Sequence, residues 1–139
     1  MVCLPFGIIL AMQIEAKHTL AMKVAYRGEA FSGFARQPEQ LTVQGELERA
    51  LEMLFRHPVE TTCAGRTDSG VNAINYIAHF DLPDEREIDA AQLCYKLNAI
   101  LPREVTVHEA AAAEGEFHAR FDARSREYHY LIHFRKDPF

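Results

Sequence analysis

One short segment of the chain, Ala64–Val71, combines residue types that could carry out covalent chemistry. Gly65 and Gly70 bracket a Thr-Asp-Ser core, which predicts a tight turn. Arg66 precedes Asp68 by two residues, so in an extended backbone both side chains would point the same way. A guanidinium there would keep the carboxylate ionised, and an ionised, positioned carboxylate is a competent nucleophile. The alternative is that the segment merely connects two strands.

Other catalytic motifs are missing from the sequence. It contains neither GxxxxGKS/T nor GxGxxG, and no elbow motif surrounds a serine. The histidines lack metal-ligand spacing with the cysteines. His129 and His133 are four residues apart, a spacing suited to a helix and not to the strand expected there. We therefore expect no metal and no cofactor.

A second segment places aromatic rings beside positive charge. Tyr128 and Tyr130 are flanked by Arg126 and His129, as on surfaces that stack nucleobases. The alternative is an aromatic strand that faces the core. We expect one tyrosine to be buried and the other to be exposed toward a cleft.

Composition places the chain among ordinary soluble globular proteins, with 139 residues of which 48% are hydrophobic and 25% charged. A chain of this length forms one domain and buries enough surface to fold without a metal or disulfides. The net charge of −5 argues against a sequence-independent nucleic-acid binder. Between residues 117 and 136, however, Lys and Arg outnumber Asp and Glu, so an anionic partner would dock on this C-terminal side.

The cysteines and the N-terminal residues indicate the cellular compartment. An odd number of cysteines without a CxxC pair argues against a disulfide framework and favours a reducing cytoplasm. The apolar run Val2–Met12 is far shorter than the ~20 residues that span a bilayer, so we expect no membrane segment. We interpret residues 1–18 as an N-terminal extension or a start-site ambiguity, and residues 19–139 as the domain.

Apolar periodicity predicts alternating strands and helices. Strands are expected at 20–26, 59–64, 74–82, from 105 onward and at 127–134. One helix is expected from Val43 onward, capped by Thr42 and stopped by His57-Pro58. A second is expected after the Asp89 cap and ends at Pro102. The order β-α-β-β-α-β plus one strand favours an α+β fold that is ferredoxin-like, with both helices on one face of a mainly antiparallel sheet.

Ala64–Val71, followed by His79-Phe80-Asp81, resembles the active-site segment of the bacterial tRNA pseudouridine synthase A family. Further segments follow in the family's order and extend the resemblance over roughly residues 22–139: Tyr26-Arg27-Gly28, Thr42-Val43-Gln44, Leu97–Pro102, Phe117–Phe121 and Arg126–Tyr130. Each segment is weak alone, and their order makes the resemblance specific.

The resemblance implies both a site and a reaction. Asp68 matches the catalytic aspartate and would be the nucleophile, Arg66 matches the arginine that holds it, and Tyr128 matches the aromatic residue that contacts the flipped-out base. Further substrate contacts are expected from Thr67, Arg120 and Arg126. The reaction implied is isomerisation of uridine to pseudouridine in the anticodon arm of tRNA. The enzyme would be a cytoplasmic homodimer without a cofactor.

Two positions depart from the family's pattern, with Arg27 where it generally has aspartate and Asn72 where it generally has histidine. The family also has a second half after the Tyr128 strand, so we expect this chain to be an N-terminal half that is inactive alone. Two alternatives remain: a non-catalytic ferredoxin-like RNA-binding module, and an unrelated small enzyme with a catalytic carboxylate. The sequence lacks the Lys/Arg-Gly-Phe signature of RNA-recognition modules, which argues against the first alternative.

Overall fold

A computed structural model describes residues 2–3, 19–82 and 86–138. Most of the expected N-terminal extension lies outside these residues. The strands, in chain order, are β1 (Val2–Cys3), β2 (Thr19–Tyr26), β3 (Thr62–Cys63), β4 (Ala73–Asp81), β5 (Val105–Ala112) and β6 (Ser125–Arg126). The helices are α1 (Val43–Phe55) and α2 (Ala90–Ile100), and a 3₁₀ turn covers Gly28–Ala30.

Four strands form one antiparallel sheet in the order β3-β4-β2-β5, and both helices pack on it. The α+β class predicted from the sequence is thereby confirmed. Strand β2 lies in the middle and is almost wholly buried, in keeping with its apolar sequence. The centre of the core is built from cross-strand neighbours of β2 and β4: Leu20 opposite Phe80, Met22 opposite Ala78 and Val24 opposite Tyr76.

Helix α1 begins where the sequence predicts and ends at Phe55, just before the predicted stop at His57-Pro58. The Thr42 hydroxyl accepts a hydrogen bond from the Gly45 N–H at 3.2 Å, which caps the N-terminus. Arg56 closes the C-terminus in the left-handed conformation, with φ at 59°. Leu47 and Leu51 on the apolar face are fully buried. Each such leucine contributes roughly 1.5–3 kcal/mol relative to an exposed side chain.

Strand β3 is shorter than the strand predicted at 59–64, because side chains of helix α1 hydrogen-bond to the backbone of Thr61. The Glu48 carboxylate accepts from both the N–H and the hydroxyl of Thr61, at 2.9 and 3.0 Å. The Gln44 amide donates to the Thr61 carbonyl at 2.9 Å. With these groups bonded to side chains, only Thr62–Cys63 pairs with β4.

Helix α2 is capped by Asp89, as predicted, with its carboxylate accepting from the Ala91 and Gln92 N–H groups. Asn98 fastens this helix to β5 with a pair of hydrogen bonds to the Val107 backbone, at 2.9 and 2.8 Å. No helix among the described residues is long and apolar enough to cross a membrane.

The prediction of a strand at 127–134 is wrong. This segment is irregular, and only Ser125–Arg126 pairs, with Val2–Cys3. Its side chains are exposed, including both Tyr128 and Tyr130, so the expectation that one of them is buried is also wrong. Period-two alternation predicts which side chains share a face, but a strand also needs a partner for its backbone groups, and no described strand pairs with this segment.

Candidate active site

Asp68 lies in the connection between β3 and β4, which we call the Asp68 loop (residues 65–72). The loop closes on a hydrogen bond from the Val71 N–H to the Asp68 carbonyl at 3.2 Å. Gly70, two residues after Asp68, has φ of 84°, which suits glycine at the third position of a type II turn. The tight turn predicted from the two glycines is present.

The loop packs backbone against backbone on the segment that follows β2. The Phe34 N–H donates to the Thr67 carbonyl at 3.1 Å, and the Gly70 N–H donates to the Gly28 carbonyl at 3.2 Å. A side chain at Gly28 would lie 2.1 Å from the Val71 carbonyl oxygen, so only glycine fits there. The backbone on either side of Asp68 is therefore held in place.

Three buried aromatic rings support the loop from below. Tyr26, Phe34 and Tyr76 pack with ring centroids 4.5–5.7 Å apart. The Tyr26 hydroxyl shares a hydrogen bond of 2.7 Å with the Thr67 hydroxyl, and the Tyr76 hydroxyl donates to the Gly65 carbonyl. Burial raises the pKa of Tyr26 to about 12 and raises the pKa of Tyr76 as well, so both hydroxyls keep their protons.

The Asp68 carboxylate itself is exposed. In the described part of the chain it has no hydrogen bond or ion pair, and neither does the Arg66 guanidinium. The direct Arg66–Asp68 contact expected from their spacing is therefore not formed. Because both groups are exposed, water solvates both charges and an ion pair would gain little. A backbone held by hydrogen bonds thus presents a carboxylate that has no polar partner among the described residues.

Arg66 lies where three cavities meet. The first, the aspartate cavity, has a volume of about 500 Å³ and is lined by Gly33, Gln37, Arg66, Thr67, Asp68 and Ser69, among others. The second, the tyrosine cavity, has about 390 Å³ and is lined by Arg66, Thr67, Asn72, Tyr76, Tyr128 and Leu131, among others. The third, the arginine cavity, has about 490 Å³ and is lined by Arg36, Gln44, Arg66, His118, Arg120 and Phe121, among others.

The structure brings some of the predicted site residues together and separates others. Arg66, Thr67 and Asp68 share the aspartate cavity. Tyr128 lies in the neighbouring tyrosine cavity with Arg66 and Thr67, and its side chain is 58% exposed. Arg120 lines the arginine cavity, and Arg66 is the other predicted site residue among the described lining residues of that cavity.

Arg126 contacts the protein's own backbone. Its guanidinium donates to the Ala64 carbonyl from Nε at 3.2 Å and from Nη2 at 2.5 Å. Nη2 also lies 3.3 Å from the Arg120 carbonyl. These bonds join the start of the Asp68 loop to the turn that carries Arg120. A guanidinium engaged in this way positions the loop and is less available to a phosphate.

The contacts that were not predicted from the sequence include those of Asn72 and Tyr76. Asn72 accepts a hydrogen bond from the Gly28 N–H at 2.7 Å, so the asparagine that departs from the family's pattern has a structural partner. Tyr76 lies in the strand that alternation predicts and is buried, and a buried tyrosine hydroxyl needs a partner. That need is the signal that could have connected Tyr76 to the loop.

The turn bearing Arg120 is fastened to the sheet through a buried histidine. The Ala119 N–H donates to Nδ1 of His79, on β4, at 3.1 Å, so this nitrogen must be unprotonated. Burial lowers the pKa of His79, and the nearby His118 lowers it further, while Asp81 and Asp122 act in the opposite direction. His79 is therefore neutral when the turn is in place.

This arrangement predicts a pH-dependent stability. A histidine whose folded pKa lies below its ordinary value of 6.5 contributes stability that is complete above pH 6.5 and is lost as the pH falls toward the folded pKa. We expect the free energy of unfolding, measured by chemical denaturation, to decrease from pH 7.5 to pH 5. His79→Gln retains an acceptor but does not titrate, so it should reduce this decrease. An equal decrease in the variant would contradict the assignment to His79.

Comparison with known proteins agrees with the motifs. A family model described as tRNA pseudouridine synthase matches residues 22–122. The tRNA pseudouridine synthase A of Porphyromonas gingivalis is 44% identical over 116 residues, which are 84% of this chain and 46% of the relative. The Parabacteroides distasonis protein of that name is 46% identical over 116 residues, again 84% and 46% of the two chains.

A Bacillus licheniformis tRNA pseudouridine synthase A is 42% identical over 117 residues, covering 83% of this chain and 47% of the relative. The chain thus spans about half the length of the curated relatives it matches. The match to the family model includes the whole Asp68 loop, the segment that packs on it and the turn bearing Arg120. On this basis the chain belongs to the tRNA pseudouridine synthase family.

Proposed function

We propose that this chain is the N-terminal, catalytic half of an enzyme that isomerises uridine to pseudouridine in tRNA, with Asp68 as its nucleophile. The observation that carries the proposal is the Asp68 carboxylate, unpaired among the described residues, on a loop whose backbone is fixed on both sides. A positioned group without a protein partner is available to the substrate without first breaking a contact. Family membership supports the choice of reaction.

The reaction is a rearrangement within one nucleotide. The bond from C1′ of the ribose to N1 of uracil breaks, a bond from C1′ to C5 forms, the C5 proton leaves to solvent and N1 gains a proton. No electrons leave the nucleotide and no group is transferred. The Asp68 carboxylate could add to C1′, add to the uracil ring, or take a proton from the ribose to give a glycal. Each route needs an ionised carboxylate that reaches the extruded nucleotide.

Arg66 and Thr67 line both the aspartate and the tyrosine cavities, so a uridine that contacts them would lie between Asp68 and Tyr128. We assign Tyr128 the task of holding the extruded base against its ring. The exposed ring fits this task, because it is free to stack on a ligand. Asp68 then approaches the nucleotide from the other side.

The first test of the function uses a fusion protein, defined as this chain joined at residue 139 to the C-terminal part of the Porphyromonas gingivalis relative. Because the C5 hydrogen is lost in the reaction, tritium release from a tRNA transcript labelled at C5 of uridine reports turnover. We expect release by the fusion protein. Binding of the transcript without any release would instead favour the non-catalytic RNA-binding module.

Tyr128→Ala in the fusion protein should lower kcat/KM for tRNA by about 5- to 150-fold, since stacking on a base contributes roughly 1–3 kcal/mol. Thermal unfolding should change little. Tyr130→Ala is the matched control, because Tyr130 is still more exposed, at 83%, and does not line the tyrosine cavity. An equal loss in both variants would remove Tyr128 from the site.

We further propose that the target uridine lies in the anticodon arm, that the enzyme works in the cytoplasm and that it forms a homodimer. The named relatives support tRNA as the substrate class. Mapping of pseudouridine along the reacted transcript tests the first point, with modification confined to another arm as the contradicting result. Light scattering of the fusion protein tests whether it forms a homodimer, and a monomer at micromolar concentration would contradict that proposal.

A further inference from the structure

The arginine cavity contains a flat aromatic platform that the proposed chemistry does not use. The Phe121 ring stacks on the His118 ring, with centroids 4.1 Å apart and planes 22° apart. Phe121 is nevertheless 77% exposed, so its outer face is open. An exposed aromatic ring held flat at the edge of a cavity is what a planar ligand needs for stacking.

The platform is rigid because its turn is bonded at several points. His118 Nδ1 accepts from the Arg120 and Phe121 N–H groups, both at 3.3 Å. The His118 N–H donates to the Asp122 carboxylate at 2.7 Å. The contact between Ala119 and His79 anchors the same turn to the sheet. The ring therefore need not be ordered when a ligand arrives, which lowers the entropic cost of binding.

Three arginines line the cavity beside the platform. Arg36, Arg66 and Arg120 line the cavity, and no Asp or Glu is among its described lining residues. Arg36 is paired with Glu48 at 2.6 Å. The side chains of Arg66 and Arg120 have no hydrogen-bond or ion-pair partner in the ranges that the structure describes. Two arginines that line one cavity and have no side-chain partner among the described residues are complementary to an anion.

We infer that the arginine cavity binds a second nucleotide of the RNA, the one adjoining the reacting uridine, with its base on Phe121 and its phosphate at Arg120. A nucleotide combines a planar base with an anionic phosphate, and about 490 Å³ is a volume typical of small-ligand sites. Arg66 lines both this cavity and the aspartate cavity, so the two nucleotides would be neighbours. The inference rests on the proposed function for the identity of the ligand as RNA.

The test measures binding of an unmodified tRNA transcript to the 139-residue chain over a range of salt concentrations. Phe121→Ala should weaken binding about 5- to 150-fold and leave the salt dependence unchanged. Phe121→Tyr retains the ring and should restore the affinity. Tyr95→Ala is the matched control, because Tyr95 is also 77% exposed but lies on α2, away from the cavity.

Arg120→Gln should reduce the slope of log K against log salt by about 1, as loss of one phosphate contact does. Its control is Arg56→Asn, which removes one positive charge at a position whose φ of 59° suits asparagine. The inference is overturned if Phe121→Ala behaves like Tyr95→Ala, if Arg120→Gln leaves the slope unchanged, or if the chain does not bind the transcript.

Failure of the proposed function would be recognised separately. If Asp68→Asn still forms pseudouridine in the fusion protein while the Phe121 and Arg120 effects on binding hold, the assignment of the nucleophile fails and the second nucleotide site remains. If the binding effects are missing while Asp68→Asn is inactive, the proposed function remains and this site fails.

Discussion

Replacing Asp68 with asparagine in the fusion protein should abolish tritium release from tRNA, a loss on the order of 10⁴-fold or more for a residue that performs the chemistry. The substitution preserves size and removes the charge and the nucleophilic oxygen. Because the Asp68 carboxylate has no hydrogen bond or ion pair with the described residues, its loss should leave folding and tRNA binding intact. The expected signature is thus a lost kcat with an unchanged dissociation constant.

The matched control is Asp89→Asn. Asp89 caps α2, and asparagine caps a helix as well as aspartate does, so this variant makes the same chemical change without harm to the fold. It should release tritium as the unsubstituted fusion protein does. Release by the Asp68→Asn variant above a no-enzyme background would eliminate Asp68 as the nucleophile.

The second large effect concerns the 139-residue chain by itself, which we expect to fold but to give no tritium release. In this chain the Asp68 and Arg66 side chains are exposed, and the tyrosine cavity is walled on one side by an irregular, exposed segment. Catalysis needs the uridine held near the carboxylate, where a displacement of about 1 Å can cost about a hundredfold. Water that reaches both side chains also weakens their field at the substrate.

This expectation is measured with the chain and the fusion protein at equal concentration on the same labelled transcript. Thermal unfolding of the chain serves as the control for folding, because an unfolded chain would also be inactive. Turnover by the chain equal to that of the fusion protein would show that Asp68 and the residues around it suffice.

Local signals in the sequence predict much of the fold. The caps at Thr42 and Asp89 fix where the two helices begin, and period-two alternation locates β2 and β4. The segment 127–134 carries the same alternation but does not form a strand, because strand formation depends on a neighbour that alternation cannot supply. A local sequence pattern thus predicts which side chains share a face of the sheet better than it predicts which strands pair.

For the candidate site, too, the sequence predicts local features but not long-range contacts. The position of Asp68 in a tight turn follows from its flanking glycines. The contacts that fix the turn cannot be predicted from local sequence, because Tyr26 and Thr67 are 41 residues apart and Gly28 and Asn72 are 44 apart. The spacing of Arg66 and Asp68 predicted an ion pair, but between exposed side chains solvation outweighs proximity. Long-range packing, rather than spacing, decides which groups meet.

The most direct measurement of the central claim is the structure of the fusion protein carrying Asp68→Asn in complex with an unmodified tRNA transcript. We expect one uridine to be extruded from the RNA, with C1′ or the uracil ring within about 3.5 Å of the side-chain oxygen at position 68. Its base should lie against the Tyr128 ring. A complex in which every uridine remains stacked in the RNA, or in which the extruded uridine lies in a cavity that Asp68 does not line, would contradict the account.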